Sequence, residues 1–189
     1  MKKVLTFLIL LFTFCNLTAQ DHLSFKGIPI EGNIREFCDK LKEKGFSYIG
    51  KEENTLLYTG DFTGKTATVG VIATDDGDNV FSVIVFFKPS KEWNHLVSTY
   101  EYYKQLYTHK YGKPTSHKEN NPSLSDSNLS LMRALEQGTF SYYNTWRVSG
   151  GEIKLSIEKT DRVYEGTVMI RYRDTQNSKA KFLNDLNEI

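Results

Sequence analysis

The sequence predicts an α+β domain in which an antiparallel sheet is covered on one face by helices. Three observations carry this. Short segments rich in β-branched and aromatic residues recur in groups of four, separated by hairpin chemistry. Each group follows a stretch whose apolar residues recur at helical spacing. The helical stretches stop at Gly45 and Gly112, the latter reinforced by Pro114.

The clearest pair of elements runs from Asn79 to Gly112. Val80 to Phe87 is almost wholly apolar and reads as a central strand. Lys88-Pro89-Ser90 breaks it, because proline cannot donate to a ladder. Ser90 is the expected N-cap of the helix that follows, with Glu92 in its first turn. Trp93, Leu96, Val97, Tyr100, Tyr103, Leu106, Tyr107 and Tyr111 fall on one stripe of that helix. Of the neighbours Tyr102 and Tyr103, one should pack and the other lie exposed.

Residues 1–19 read as a cleaved export signal. Lys2 and Lys3 precede an apolar run, Val4 to Phe14, that is too short to span a bilayer. Leu17-Thr18-Ala19 offers a cleavage site, and residues 20–189 form one domain. Phe14 stands where a lipobox needs a small residue, so lipidation at Cys15 is not expected. The expected location is periplasmic or secreted, with no transmembrane span in the mature chain. Loss of the two lysines takes the formal charge from +1 to −1. A nearly neutral chain has no electrostatic bias toward nucleic acid. Cys38 alone survives processing, which excludes an internal disulfide.

Within the domain, Leu23 to Ile30 reads as an edge strand. Asn33 caps a helix carrying Ile34, Phe37, Cys38 and Leu41 on one stripe. Strands follow at Phe46–Gly50, Thr55–Gly60, Thr66–Ala73 and Val80–Phe87, with Asp76-Gly77 suited to a type I′ turn. After the second helix come a strand near Thr115–Lys118, a polar loop over Glu119–Asn128 and a brief helix ending at Gly138. Strands at Thr139–Arg147, Glu152–Lys159 and Tyr164–Arg173 close the sheet. A C-terminal helix over about 175–188 is expected to bury Ala180, Leu183 and Leu186.

This order reads as two α-β-β-β-β repeats, over about 33–88 and 89–173. Gly45 and Gly112 lie 67 positions apart, and the strand starts at Val80 and Tyr164 lie 84 apart. The excess of 17 matches the polar insertion between about Glu119 and Gln137.

Leu23 to Ile30, followed by a helix ending Lys44-Gly45-Phe46, resembles the opening of small exported bacterial proteins of unknown function. Trp93 through Tyr111-Gly112-Lys113-Pro114 resembles their second helix. The duplicated order is similar in architecture to β-lactamase-inhibitor-like and small outer-membrane assembly lipoprotein folds. These motifs are structural and imply no active site.

No motif for chemistry holds. Gly60 to Thr66 lacks one residue of a P-loop and leads into a strand instead of a helix. Asp75 to Asn79 lacks the ligand spacing of a calcium loop and reads as a solvated turn. His22, His95, His109 and His117 show no metal-ligand spacing, and no cofactor is expected. Cys38 points at the core and reads as inert.

Alternation on the last three strands turns Phe140, Tyr142, Trp146, Ile153, Leu155, Ile157, Val168, Ile170 and Tyr172 toward the helices. The other face gathers Tyr143, Arg147, Lys154, Glu158, Met169, Arg171 and Arg173. Two readings stand. One is a solvated face with ion pairs such as Glu158 with Arg171. The other is a partner-binding surface built on Tyr143, Arg147, Lys154, Arg171 and Arg173, for an envelope protein or a glycan. The leading expectation is an exported noncatalytic binding or interaction domain. The alternative is an envelope hydrolase using scattered carboxylates or histidines.

Overall fold

A computed structural model describes residues 21–120, 127–187 and 189. The expected export signal lies outside them, as do residues 121–126 of the polar loop. The chain is α+β. A small hairpin of β1 (Ser24–Phe25) and β2 (Ile28–Pro29) precedes α1 (Ile34–Glu43). Then come β3 (Ser47–Glu52), β4 (Thr55–Phe62), β5 (Lys65–Ala73), β6 (Val80–Phe86) and α2 (Trp93–Tyr111). The chain continues with β7 (Ser116–Glu119), α3 (Asn128–Glu136), β8 (Tyr142–Val148), β9 (Gly151–Lys159), β10 (Gly166–Asp174) and α4 (Thr175–Asn187).

One eight-stranded antiparallel sheet has the order β3-β4-β5-β6-β10-β9-β8-β7. Its two halves are consecutive in sequence and meet where β6 pairs with β10, with Val85 opposite Ile170 and Val83 opposite Tyr172. Side chains alternate across each strand, so both residue pairs face the helices and join one core. Trp146, Tyr100, Tyr103, Phe37 and Ile170 are among its fully buried members. No described helix is long and apolar enough to cross a membrane.

Local chemistry explains most boundaries. Asn33 Oδ1 accepts from Arg35 N at 2.9 Å, as an N-cap should. Gly166 lets α2 and α3 approach β10. A Cβ there would lie 2.9 Å from Leu96 Cδ1 and 2.8 Å from Leu135 Cδ2. Tyr103 is buried while Tyr102 is exposed, as their spacing requires.

Several expectations are corrected. Leu23 to Ile30 does not join the main sheet: Lys26 and Gly27 both take positive φ, turning the segment into the β1–β2 hairpin. At Asp76-Gly77 only the glycine has positive φ, so the turn is not type I′; Thr63-Gly64 has the two positive φ values that type demands. Ser90 does not cap α2. Its Oγ accepts from Glu92 N, while the Trp93 amide is met by Asn128 Oδ1 at 2.7 Å, from the first residue of α3. β8 begins at Tyr142, and β10 begins at Gly166 because Tyr164 sits at positive φ in the preceding turn. Leu106 is 40% exposed because the stripe of α2 is wider than the core beneath it. The largest correction is α4: it buries Asn177 and Ser178, and leaves Phe182, Leu183 and Leu186 exposed.

Candidate functional site

The sheet face away from the helices forms a continuous two-part surface. Registers place its residues in rows. One row reads Leu57, Gly70, Ile84, Arg171, Lys154, Thr145, crossing from β4 to β8. The next reads Thr59, Thr68, Phe86, Met169, Ser156, Tyr143. A third reads Thr55, Ile72, Ser82, Arg173, Glu152, Arg147. Ile84 and Met169 are buried but stand apart from the helix-side core. They lie instead among Leu57, Ile72 and Phe86, which are half-buried. Gly70 opens this apolar half: a Cβ there would lie 2.8 Å from Thr55 Cγ2 and 3.6 Å from both Leu57 Cδ2 and Phe86 Cε2.

The other half is cationic, and all five predicted contact residues lie on it. Arg171 stands directly opposite Lys154, two like charges on one face. Such a pair is destabilising by about 0.2–1 kcal/mol in an isolated sheet. Lys154 Nζ lies 5.0 Å from the centre of the Tyr143 ring and 3.8 Å from Glu158 Oε1. The expected Glu158–Arg171 pair does not form, because Glu158 is opposite Thr167. Arg171 has no ion-pair or hydrogen-bond partner among the described residues and is exposed. Arg147 reaches Glu152 at 4.0 Å with its side chain 82% exposed, a weak pair. Arg173 donates from Nε to Ser178 Oγ at 3.1 Å, so α4 borders this end of the face.

Between Met169 and Tyr143 sits Ser156, 1% exposed, whose Oγ finds no hydrogen-bond partner among the described residues. A hydroxyl buried without a partner forfeits its hydration, at a cost of about 1–3 kcal/mol. Tyr143 stands opposite it across the β8–β9 pairing, and Lys154 precedes it by two positions on the same face. The surface thus presents a half-buried apolar strip and the unpaired Arg171 beside Lys154, which shares its charge with Glu158, while the unpartnered Ser156 hydroxyl lies buried beneath them.

Several other chemistry-bearing residues are occupied structurally. Asp174 is fully buried; it accepts from Leu23 N at 3.0 Å and caps α4 through Asn177 N at 2.9 Å. His22 meets Asp174 through Nδ1 at 3.1 Å and Glu31 through Nε2 at 3.3 Å. Both ring nitrogens therefore face carboxylates, and neither is left to act on a nucleophile. Burial pushes the Cys38 thiol up against an opposing hydrogen bond from Tyr58, which leaves it unreactive. Asp76 Oδ1 accepts from Thr74 Oγ1 and Asp78 N, bonds internal to the turn. Gly60 and Gly64 belong to the β4–β5 hairpin, which leads into a strand and opens no helix N-terminus toward a phosphate. No metal-ligand cluster of three exists among the described residues.

Sequence reading missed Leu57, Gly70, Ile72, Ile84, Phe86 and Ser156. In Val80 to Phe87 nearly every residue is apolar, so alternation could not separate its faces. Only the register shows which of them continue the Arg171 surface. A comparison with protein-family models, curated proteins and solved structures found no match.

Proposed function

We propose that this chain is an exported, noncatalytic binding domain that captures an envelope partner on the open face of its sheet. The observation that carries this reading is the side-by-side placement of Arg171 and Lys154 next to the unpartnered Ser156. Like charges side by side and a buried hydroxyl without a partner each cost stability, and an anion bound over Arg171 would relieve the first. The partner's chemistry follows from the surface. It carries a carboxylate or other anion for the Arg171–Lys154 pair and apolar groups for the strip around Ile84 and Phe86. An envelope protein with acidic and apolar side chains meets both demands; a glycan meets them only if it is anionic.

The α-β4 duplication and the resemblance to small exported bacterial proteins belong to the same reading. Each half of the sheet is a run of consecutive strands, joined at β6–β10, which supports the duplication. The test is capture from the native envelope fraction, comparing the wild-type chain with a Tyr143→Ala/Arg147→Ala/Arg171→Ala variant. All three side chains are solvent-accessible, so the variant should keep its far-ultraviolet circular dichroism. A partner retained by the wild type and lost by the variant supports the reading. Equal retention by both, or none by either, overturns it.

A further inference from the structure

A second concave surface lies on the helix side, away from the open face. The C-terminal half of α2 and the β1–β2 hairpin bound a cleft of about 630 Å³, a size typical of small-molecule sites. Tyr107 and Tyr172 form its floor, with their hydroxyls hydrogen-bonded to each other. Burial holds both phenols above the ordinary range, so they remain neutral. Leu106, the residue the core fails to cover, lines one wall.

The charge at the rim is of one sign. Lys26 projects from the hairpin and Lys110 from the last turn of α2, and no carboxylate lines the cleft. Lys26 Nζ donates to the Asp61 backbone oxygen at 3.0 Å and lies 5.3 Å from the centre of the Phe46 ring, and Lys110 Nζ lies 4.9 Å from the centre of the Tyr111 ring. Neither has an ion-pair partner among the described residues. Aromatic walls with two uncompensated ammonium groups suit a flat apolar body bearing a negative charge.

We propose that this cleft is a binding site for a small aromatic carboxylate, with the ring over Tyr107 and Tyr172 and the anion between Lys26 and Lys110. The site is independent of the open sheet face.

The test titrates the full exported chain with 2-naphthoate and, separately, with neutral 2-naphthalenemethanol. Backbone amide nuclear magnetic resonance locates binding and calorimetry measures it. The expected result is saturable naphthoate binding that shifts the amides of Lys26, Thr63, Lys110 and Tyr111. The neutral analogue should bind about tenfold more weakly, and Lys26→Gln/Lys110→Gln should erase that difference. Lys179→Gln, on α4, should leave it intact. Equal affinity for the two ligands, no saturation, or shifts confined to Phe182, Leu183 and Leu186 on α4 would each overturn the assignment.

Discussion

Replacing Glu119 with alanine removes the acceptor that ties the edge strand β7 to α2 and β8. Tyr100 Oη donates to its Oε1 at 3.0 Å and Lys104 Nζ to its Oε2 at 2.7 Å. Asn144 Nδ2 donates to Oε1 as well. Hydrogen bonds to a charged group contribute about 1.5–3 kcal/mol each. The net loss is smaller than three such bonds, because two donors keep alternatives. Asn144 Nδ2 also reaches Tyr100 Oη at 2.6 Å, and Lys104 retains Glu101 at 3.3 Å. What remains is the desolvation of two residues that stay buried, Tyr100 and Asn144. The expected loss is about 2–4 kcal/mol, or a fall in Tm of about 5–12 °C for a chain of this size.

The same network sets a pH dependence. Burial alone would raise the Glu119 pKa, but hydrogen bonds from Lys104, Asn144 and Tyr100 outweigh it and hold the group below its ordinary 4.5. A folded value below the unfolded one means that the contribution is full above 4.5 and is lost as pH falls through the folded value. Urea unfolding of wild type and Glu119→Ala should therefore differ most near neutrality and converge in acid. A difference below about 0.5 kcal/mol at neutral pH, or one that does not shrink on acidification, would refute the reasoning.

Ser156→Ala should leave stability unchanged or raise it by up to about 1 kcal/mol, since the lost hydroxyl has no partner; chemical denaturation measures this, and a loss above that size would contradict the orphan assignment. Asp174→Ala strips the acceptor from Leu23 N and Asn177 N together and should cost about 3–5 kcal/mol. Amide exchange should then show α4 losing protection ahead of the sheet; uniform loss would argue against a local clamp. Gly151→Ala would place a Cβ 2.3 Å from Arg173 O, so its urea midpoint should fall by an amount worth about 2 kcal/mol or more.

Much of this architecture is readable from local chemistry. The Asn33 cap, the Gly112 stop of α2 and the alternation of Ile153, Leu155 and Ile157 each depend on neighbours in sequence, and each is realised. What escaped reading depends on distant residues. The amide of Trp93 is capped by Asn128, 35 positions away, which no local cap signal reveals. The apolar stripe of α4 is regular, yet the helix is held through Asp174 and through Asn177, whose Nδ2 donates to Ile30 O and Val80 O. Polar anchoring therefore decides which side of α4 is inward, against the expectation from hydrophobicity. The site was half legible. Alternation put Tyr143, Arg147, Lys154, Arg171 and Arg173 on one face, but a one-residue change of register would pair Arg171 differently. Its true partner, Lys154, and its apolar neighbour Ile84 emerge only from strand pairing across β9, β10 and β6.

The most direct test of the open face is site-specific photocrosslinking in living cells. A benzophenone amino acid replaces Tyr143 on that face in one strain and exposed Tyr102 on α2 in another. Irradiation should give a discrete adduct from position 143, suppressed by Arg171→Glu, and none from position 102. An adduct from position 102 with none from 143 would place the partner on the helical side and contradict the account.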